Sequence, residues 1–129
     1  MTEKFSVLNT TKSNVPLGTL LLVRIKNHVL GKDYELSVVF ITPKKSRALN
    51  FTSRKKDTPT NILSFPLDKN TGEIFICPSY AKKEAADFGR TYENYLAFLF
   101  IHGLVHLKGF DHGSTMEKME TSIRERFSI

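Results

Sequence analysis

Apolar positions change period along the chain, and each change marks an element. Residues 3–9 alternate as a short strand, with Phe5 and Val7 on one side. Leu17, Leu21, Leu22, Ile25 and Val29 follow at helical spacing, so a helix is predicted over 17–30, started by Asn14 and Pro16 and stopped by Gly31. Residues 34–41 alternate again, with Tyr34, Leu36, Val38 and Phe40 together. Pro43 opens a short helix over 43–51, and a basic loop over 52–58 follows. Residues 61–67 read as a strand with Leu63, Phe65 and Leu67 on one face, and Pro66 places that end at a sheet edge. After a turn, 73–77 forms a second strand, and the short connection favours an antiparallel pair.

The C-terminal half reads as helical. Ser79 is the expected cap of a helix through Ala81, Ala85, Ala86 and Phe88, closed by Gly89. Thr91 caps a helix over 92–108 whose apolar surface is Tyr95, Leu96, Leu99, Phe100 and Leu104. Ser114 and Glu117 form a capping-box pattern ahead of Met116, Met119, Ile123 and Phe127. Strands interleaved with helices predict one α/β (α+β) domain over 1–129, with a small mixed, mainly four-stranded sheet. The strand order stays open.

Composition narrows the setting. A chain of 129 residues with 40% hydrophobic positions supports one core. Its single cysteine, Cys77, excludes an intrachain disulfide and points to a reducing compartment. Cys77 itself reads as a small packed residue. No apolar run reaches the roughly 20 residues that span a bilayer, and no signal-peptide pattern opens the chain. A cytoplasmic protein is expected. The net charge of +6 lies entirely in residues 1–68, which hold 11 Lys and Arg against 5 Asp and Glu. Lys44, Lys45, Arg47, Arg54, Lys55 and Lys56 stand in 43–56 without an acid. Such a patch attracts a polyanion or simply solubilises a face.

The chemistry concentrates in residues 102–112, HGLVHLKGFDH, which contain three of the four histidines. His102 and His106 are four apart and share a helix face. Gly109 lets the chain turn after the helix, so that His112 returns toward them. Three imidazoles suit a zinc ion with an open position, at the C-terminal end of the helix. Gly103 is costly inside a helix and implies close packing against another backbone, or a pocket that needs room. Asp111 can orient an imidazole, act on the water at the metal, or cap the next turn. His28, in the last turn of its helix, reads as a surface histidine. One class of zinc peptidases shares the ligand spacing but needs a glutamate after the first histidine, where this chain has Gly103.

HGLVHLKGFDH resembles the signature HGxLHLxGYDH of the YbeY family of bacterial endoribonucleases and rRNA maturation factors. RKKDTPTNILSFP at 54–66 resembles the family's RxKDxPTNVLSFP, and GEIFIC at 72–77 resembles GDIxIC. Met119 and Glu120 in the last helix also fit. The resemblance implies zinc on His102, His106 and His112, and an essential arginine, Arg54, that handles RNA phosphate across a cleft. It implies cleavage of single-stranded RNA, maturation of 16S rRNA at its 3′ end, ribosome quality control, and ribosome or small-subunit protein partners. Thr60 and Asn61 would frame the groove, with Lys44, Lys45, Lys55 and Lys56 as further RNA contacts. Gly113 departs from the acid common at that position. The competing readings are a metal-dependent hydrolase of another substrate and a non-catalytic, zinc-stabilised ribosome-biogenesis factor.

Overall fold

A computed structural model describes residues 4–129, so the first position of the strand expected over 3–9 lies outside the described residues. The order is β1 (Phe5–Asn9), α1 (Thr19–Leu30), β2 (Glu35–Phe40), α2 (Pro43–Arg54), β3 (Ile62–Asp68), β4 (Thr71–Ile76), α3 (Pro78–Ala85), a 3-10 turn (Ala86–Phe88), α4 (Tyr92–Leu107) and α5 (Ser114–Arg126). The four strands form a mixed sheet in the order β1-β2-β4-β3. β1, β2 and β4 run parallel, and β3 returns antiparallel to β4 at the edge. Pro66 sits on that edge strand beside a register irregularity, a place where proline is tolerated.

Alternation decides most of the sheet. Leu36, Val38 and Phe40 of β2, and Ile74 and Ile76 of β4, are buried on one face. β3 keeps Leu63 and Phe65 on one face, but that face is turned away from α4. Ser64 pairs with Ile74, so Ile62 and Ser64 share the side that faces α4, while Leu63 pairs with Phe75 on the other. Leu63 is buried there, but Leu67 is exposed. The face with more apolar residues is therefore not the face that meets the central helix.

Several helix boundaries are set by backbone and local hydrogen bonds that hydrophobic spacing does not show. α1 begins at Thr19 behind an extended Gly18, later than Asn14 and Pro16 indicate. α3 begins at Pro78 behind Cys77, with Ser79 already inside it. Gly113, not Ser114, precedes α5, and no side chain caps it. α2 continues through the segment read as a basic loop. Thr52 and Ser53 donate their hydroxyls to the Ala48 and Leu49 carbonyls within the helix. Lys55 closes the helix at φ 61. Arg54 thus stands at the end of a rigid element. The Thr91 cap is as expected, accepting from Asn94 N at 3.1 Å.

α4 is the centre of the molecule. Tyr95, Leu96, Leu99, Phe100, Ile101, Leu104 and Val105 are buried around much of its circumference. A helix apolar on so many sides belongs between layers rather than on a surface. It lies against β3 and β4 through Gly103. A Cβ at 103 would come within 2.9 Å of Ile62 Cδ1 and Ser64 Oγ and 3.1 Å of Ile74 Cδ1. Strand side chains, not a second backbone, account for this glycine. No described helix is long and apolar enough to cross a membrane.

Gly103→Val should overpack this contact. We expect a loss of roughly 1–3 kcal/mol, read as a lower urea midpoint at unchanged m-value.

Candidate metal centre

The histidine cluster is built by the end of one helix and the turn after it. His102 and His106 lie one turn apart on α4. Gly109 adopts φ 104 and donates to the His106 carbonyl at 2.9 Å, which reverses the chain. His112 then returns over the pair. Its ring centroid is 5.4 Å from that of His102 and 4.9 Å from that of His106. One nitrogen from each of the three rings lies within 4.8 Å of the others. Tetrahedral zinc holds ligand nitrogens roughly 3.3 Å apart, so the three rings must draw together to share an ion.

The outer nitrogens show which atoms face an ion. His106 Nδ1 lies 3.1 Å from the Phe110 carbonyl, which only accepts. That nitrogen therefore carries the proton, and Nε2 keeps its lone pair for a metal. His102 Nδ1 donates to Glu120 Oε1 at 3.0 Å in the same way. Burial first, then His102 and His112, hold the His106 imidazole below its ordinary pKa. The neutral form is the one that ligates. The donor set and its outer partners thus fit a divalent transition metal of the zinc kind.

Glu120 is the residue that motif reading left without a role. It is 6% exposed and lies between Met116 and Ile123 on the buried stripe of α5. Arg124 approaches the same carboxylate at 3.9 Å. A carboxylate at an apolar-stripe position was the available signal. Asp111 is exposed, and no hydrogen bond joins it to any of the three rings among the described residues. The imidazole-orienting task falls to Glu120 and the Phe110 carbonyl.

Arg54 reaches the cluster across space. It lines one cleft of 350 Å³ together with Thr60, Asn61, Ser64, His102, His106 and His112. Helix α2 is fastened to this wall by two buried polar side chains. Ser46 Oγ donates to the Thr60 carbonyl at 2.7 Å and accepts from Thr60 N at 2.9 Å. Asn50 donates to the Thr58 carbonyl at 2.8 Å. Asn61 donates to Glu84, as does the buried Tyr95 hydroxyl. Burial and the nearby Glu84 carboxylate push the Tyr95 phenol up to about 12. Lys44, Lys45, Lys55 and Lys56 are exposed beyond the cleft walls. Arg47 is not free in the patch, because it forms a two-point pair with Asp57 at 2.7 and 3.0 Å. Cys77 is buried outside the histidine cluster, and His28 is exposed against the Phe127 ring.

Comparison with known proteins places this geometry. The family profile described as Endoribonuclease YbeY matches residues 6–128. The chain belongs to the YbeY family. An Endoribonuclease YbeY of Staphylococcus carnosus is 31% identical over 125 residues, covering 88% of this chain and 82% of its own. Its counterpart from Chromohalobacter salexigens is 38% identical over 108 residues, covering 74% and 70%. A solution structure of a Thermotoga maritima protein superposes with a TM-score of 0.65 at 28% identity, over 94% of this chain and 87% of that one. YbeY membership supports a ribonuclease of the YbeY kind, with rRNA maturation as its setting.

Glu120→Ala should weaken zinc binding by about 10- to 100-fold through loss of the imidazole partner, while Asp111→Ala leaves it within a few-fold. Competition with a chromophoric chelator measures both.

Proposed function

We propose that the chain is a zinc-dependent endoribonuclease of the cytoplasm that cuts single-stranded RNA. Its proposed tasks are maturation of the 16S rRNA 3′ end and ribosome quality control, with ribosome or small-subunit proteins as partners. One observation carries the reading. Arg54 and the three histidines, distant in sequence, line the same cleft. A cation that reads phosphate and a ligand set for a divalent metal converge on one small volume.

His102, His106 and His112 would hold the ion through neutral nitrogens. When bound, zinc supplies Lewis acidity and a charge of about +2 opposite a phosphodiester. Arg54 supplies a planar guanidinium that grips phosphate oxygens at two points and stabilises charge gathering on them. Its position at the end of α2 limits the entropy lost in aiming it. Asp111 is assigned proton transfer, supported by its exposure and its place beside His112. Thr60 and Asn61 line the groove, and Lys44, Lys45, Lys55 and Lys56 extend a positive field along the approaching strand. A peptidase reading has no base at 103, and that position faces Ile62 and Ser64 of the sheet.

The test uses zinc-loaded protein freed of contaminating nuclease and a single-stranded 16S rRNA 3′ precursor. His106→Ala and Arg54→Glu should both abolish cleavage, with metal retained by Arg54→Glu. Asp111→Asn should retain metal and cut about 100-fold more slowly or worse. Undiminished cleavage by both His106→Ala and Arg54→Glu would sink the site. Zinc binding without cleavage, even with ribosomes present, would favour a zinc-stabilised biogenesis factor. Product ends identify the nucleophile, a 2′,3′-cyclic phosphate marking the ribose hydroxyl. Separately, Lys55→Glu with Lys56→Glu should flatten the slope of log K against log salt by about 1.4, the share of two single-strand phosphate contacts.

A further inference from the structure

Two clefts meet at the histidines. Both are lined by Asn61, Ile62, His102 and His112. The first runs to Arg54. The second, of 540 Å³, runs the other way, between the aromatic side chains of the α3–α4 corner and the face of α5. The proposed phosphate chemistry uses only the first. A strand held at the first cleft continues past it, and the adjoining second cleft offers a flanking nucleotide a path.

Its walls suit a base rather than a phosphate. Phe88, Tyr95 and Phe98 form a three-ring cluster, with Tyr95 stacked on Phe88 at 5.1 Å and 24° and on Phe98 at 5.5 Å and 15°, while Phe88 and Phe98 are tilted by 39° at 6.1 Å. Tyr95 is 1% exposed, but Phe88 is 57% exposed and lines the cleft. Phe98 is already covered by Arg90 at 4.5 Å and Arg124 at 4.9 Å from its centroid. Phe88 is thus the member of the group that still offers aromatic surface to solvent. The charged lining is mixed. The Glu120 carboxylate is engaged by His102 and Arg124, whereas Glu117 is exposed and has no ion pair among the described residues. A carboxylate repels phosphate but accepts hydrogen bonds from the exocyclic amino groups of cytosine, adenine and guanine.

We propose that this second cleft is a nucleobase subsite. The base next to the scissile phosphate stacks on Phe88, and Glu117 accepts from its amino group. The inference rests on the RNA reading above, gives its single-strand preference a structural basis and adds a base preference. Paired bases cannot reach the Phe88 ring, so the subsite favours single strands. Uracil has no exocyclic amine, so amino-bearing bases are preferred.

The chain contains no tryptophan, which makes Phe88→Trp a direct reporter. Zinc-loaded, full-length Phe88→Trp is titrated with short oligocytidylate and oligouridylate, and anisotropy of the labelled RNA records binding independently. We expect quenching of the Trp emission as RNA binds, none for a Leu20→Trp control at an exposed position of α1, and tighter binding of oligocytidylate. Phe88→Leu should weaken oligocytidylate roughly tenfold while Phe88→Trp restores it, and Glu117→Gln should narrow the preference over oligouridylate. RNA binding without quenching, and unchanged in Phe88→Leu, overturns the subsite and leaves the RNA reading intact. No binding of any RNA by the zinc-loaded wild type overturns both.

Discussion

Helix α4 can lie tightly on β3 and β4 because residue 103 has no side chain. The space a Cβ would take is held by Ile62, Ser64 and Ile74. This close approach sets the depth of the helix over the sheet, and with it the height of His102 and His106 beside the β3 edge. A helix lifted by even a methyl group would separate the imidazoles from the wall that carries Thr60, Asn61 and Arg54. Tight packing converts a local steric fact into the geometry of a site several residues away. The same residue bears on chemistry, because position 103 points into the sheet interface, where a glutamate would be a buried charge rather than a base.

Around that contact the two walls of the site differ in chemistry. On one side of the histidines stands α2, with Arg54 at its end and exposed lysines along it. On the other stands α5, whose Glu120 orients His102 and is itself approached by Arg124. The cationic side suits phosphate, and the aromatic and carboxylate side suits bases. Each wall is anchored by buried polar groups, Ser46 and Asn50 on one and Glu120 on the other. Buried polar groups are costly unless satisfied, so the hydrogen bonds of Ser46, the Asn50 amide nitrogen and Glu120 hold each wall in one arrangement, while Asn50 Oδ1 has no partner among the described residues.

Much of this was legible along the chain. Strand alternation identified the buried row of β2, Thr91 marked the start of α4, and the H-x3-H-x2-G-x2-H spacing marked the histidine cluster. The extent of α2 was not legible, because Thr52 and Ser53 look like loop residues until their hydroxyls are seen to bond back to the helix. The side of β3 that meets α4 was not legible, because apolar counting favours Leu63, Phe65 and Leu67, whereas register places Ser64 beneath Gly103. Glu120 was legible as part of the family pattern but without a role, because its partner His102 is met only when α5 docks on α4.

What the sequence determined by itself is local and periodic. It specifies which segments are helices or strands, which three imidazoles can share an ion, and where the chain must turn at Gly109. These follow from neighbours within a few residues, where backbone geometry leaves little choice. Only the tertiary structure decided the strand order, the partners of the outer imidazole nitrogens, the meeting of Arg54 with the histidines, and the presence of two clefts rather than one. Those depend on which surfaces pack together over separations of tens of residues, and no local period encodes that choice.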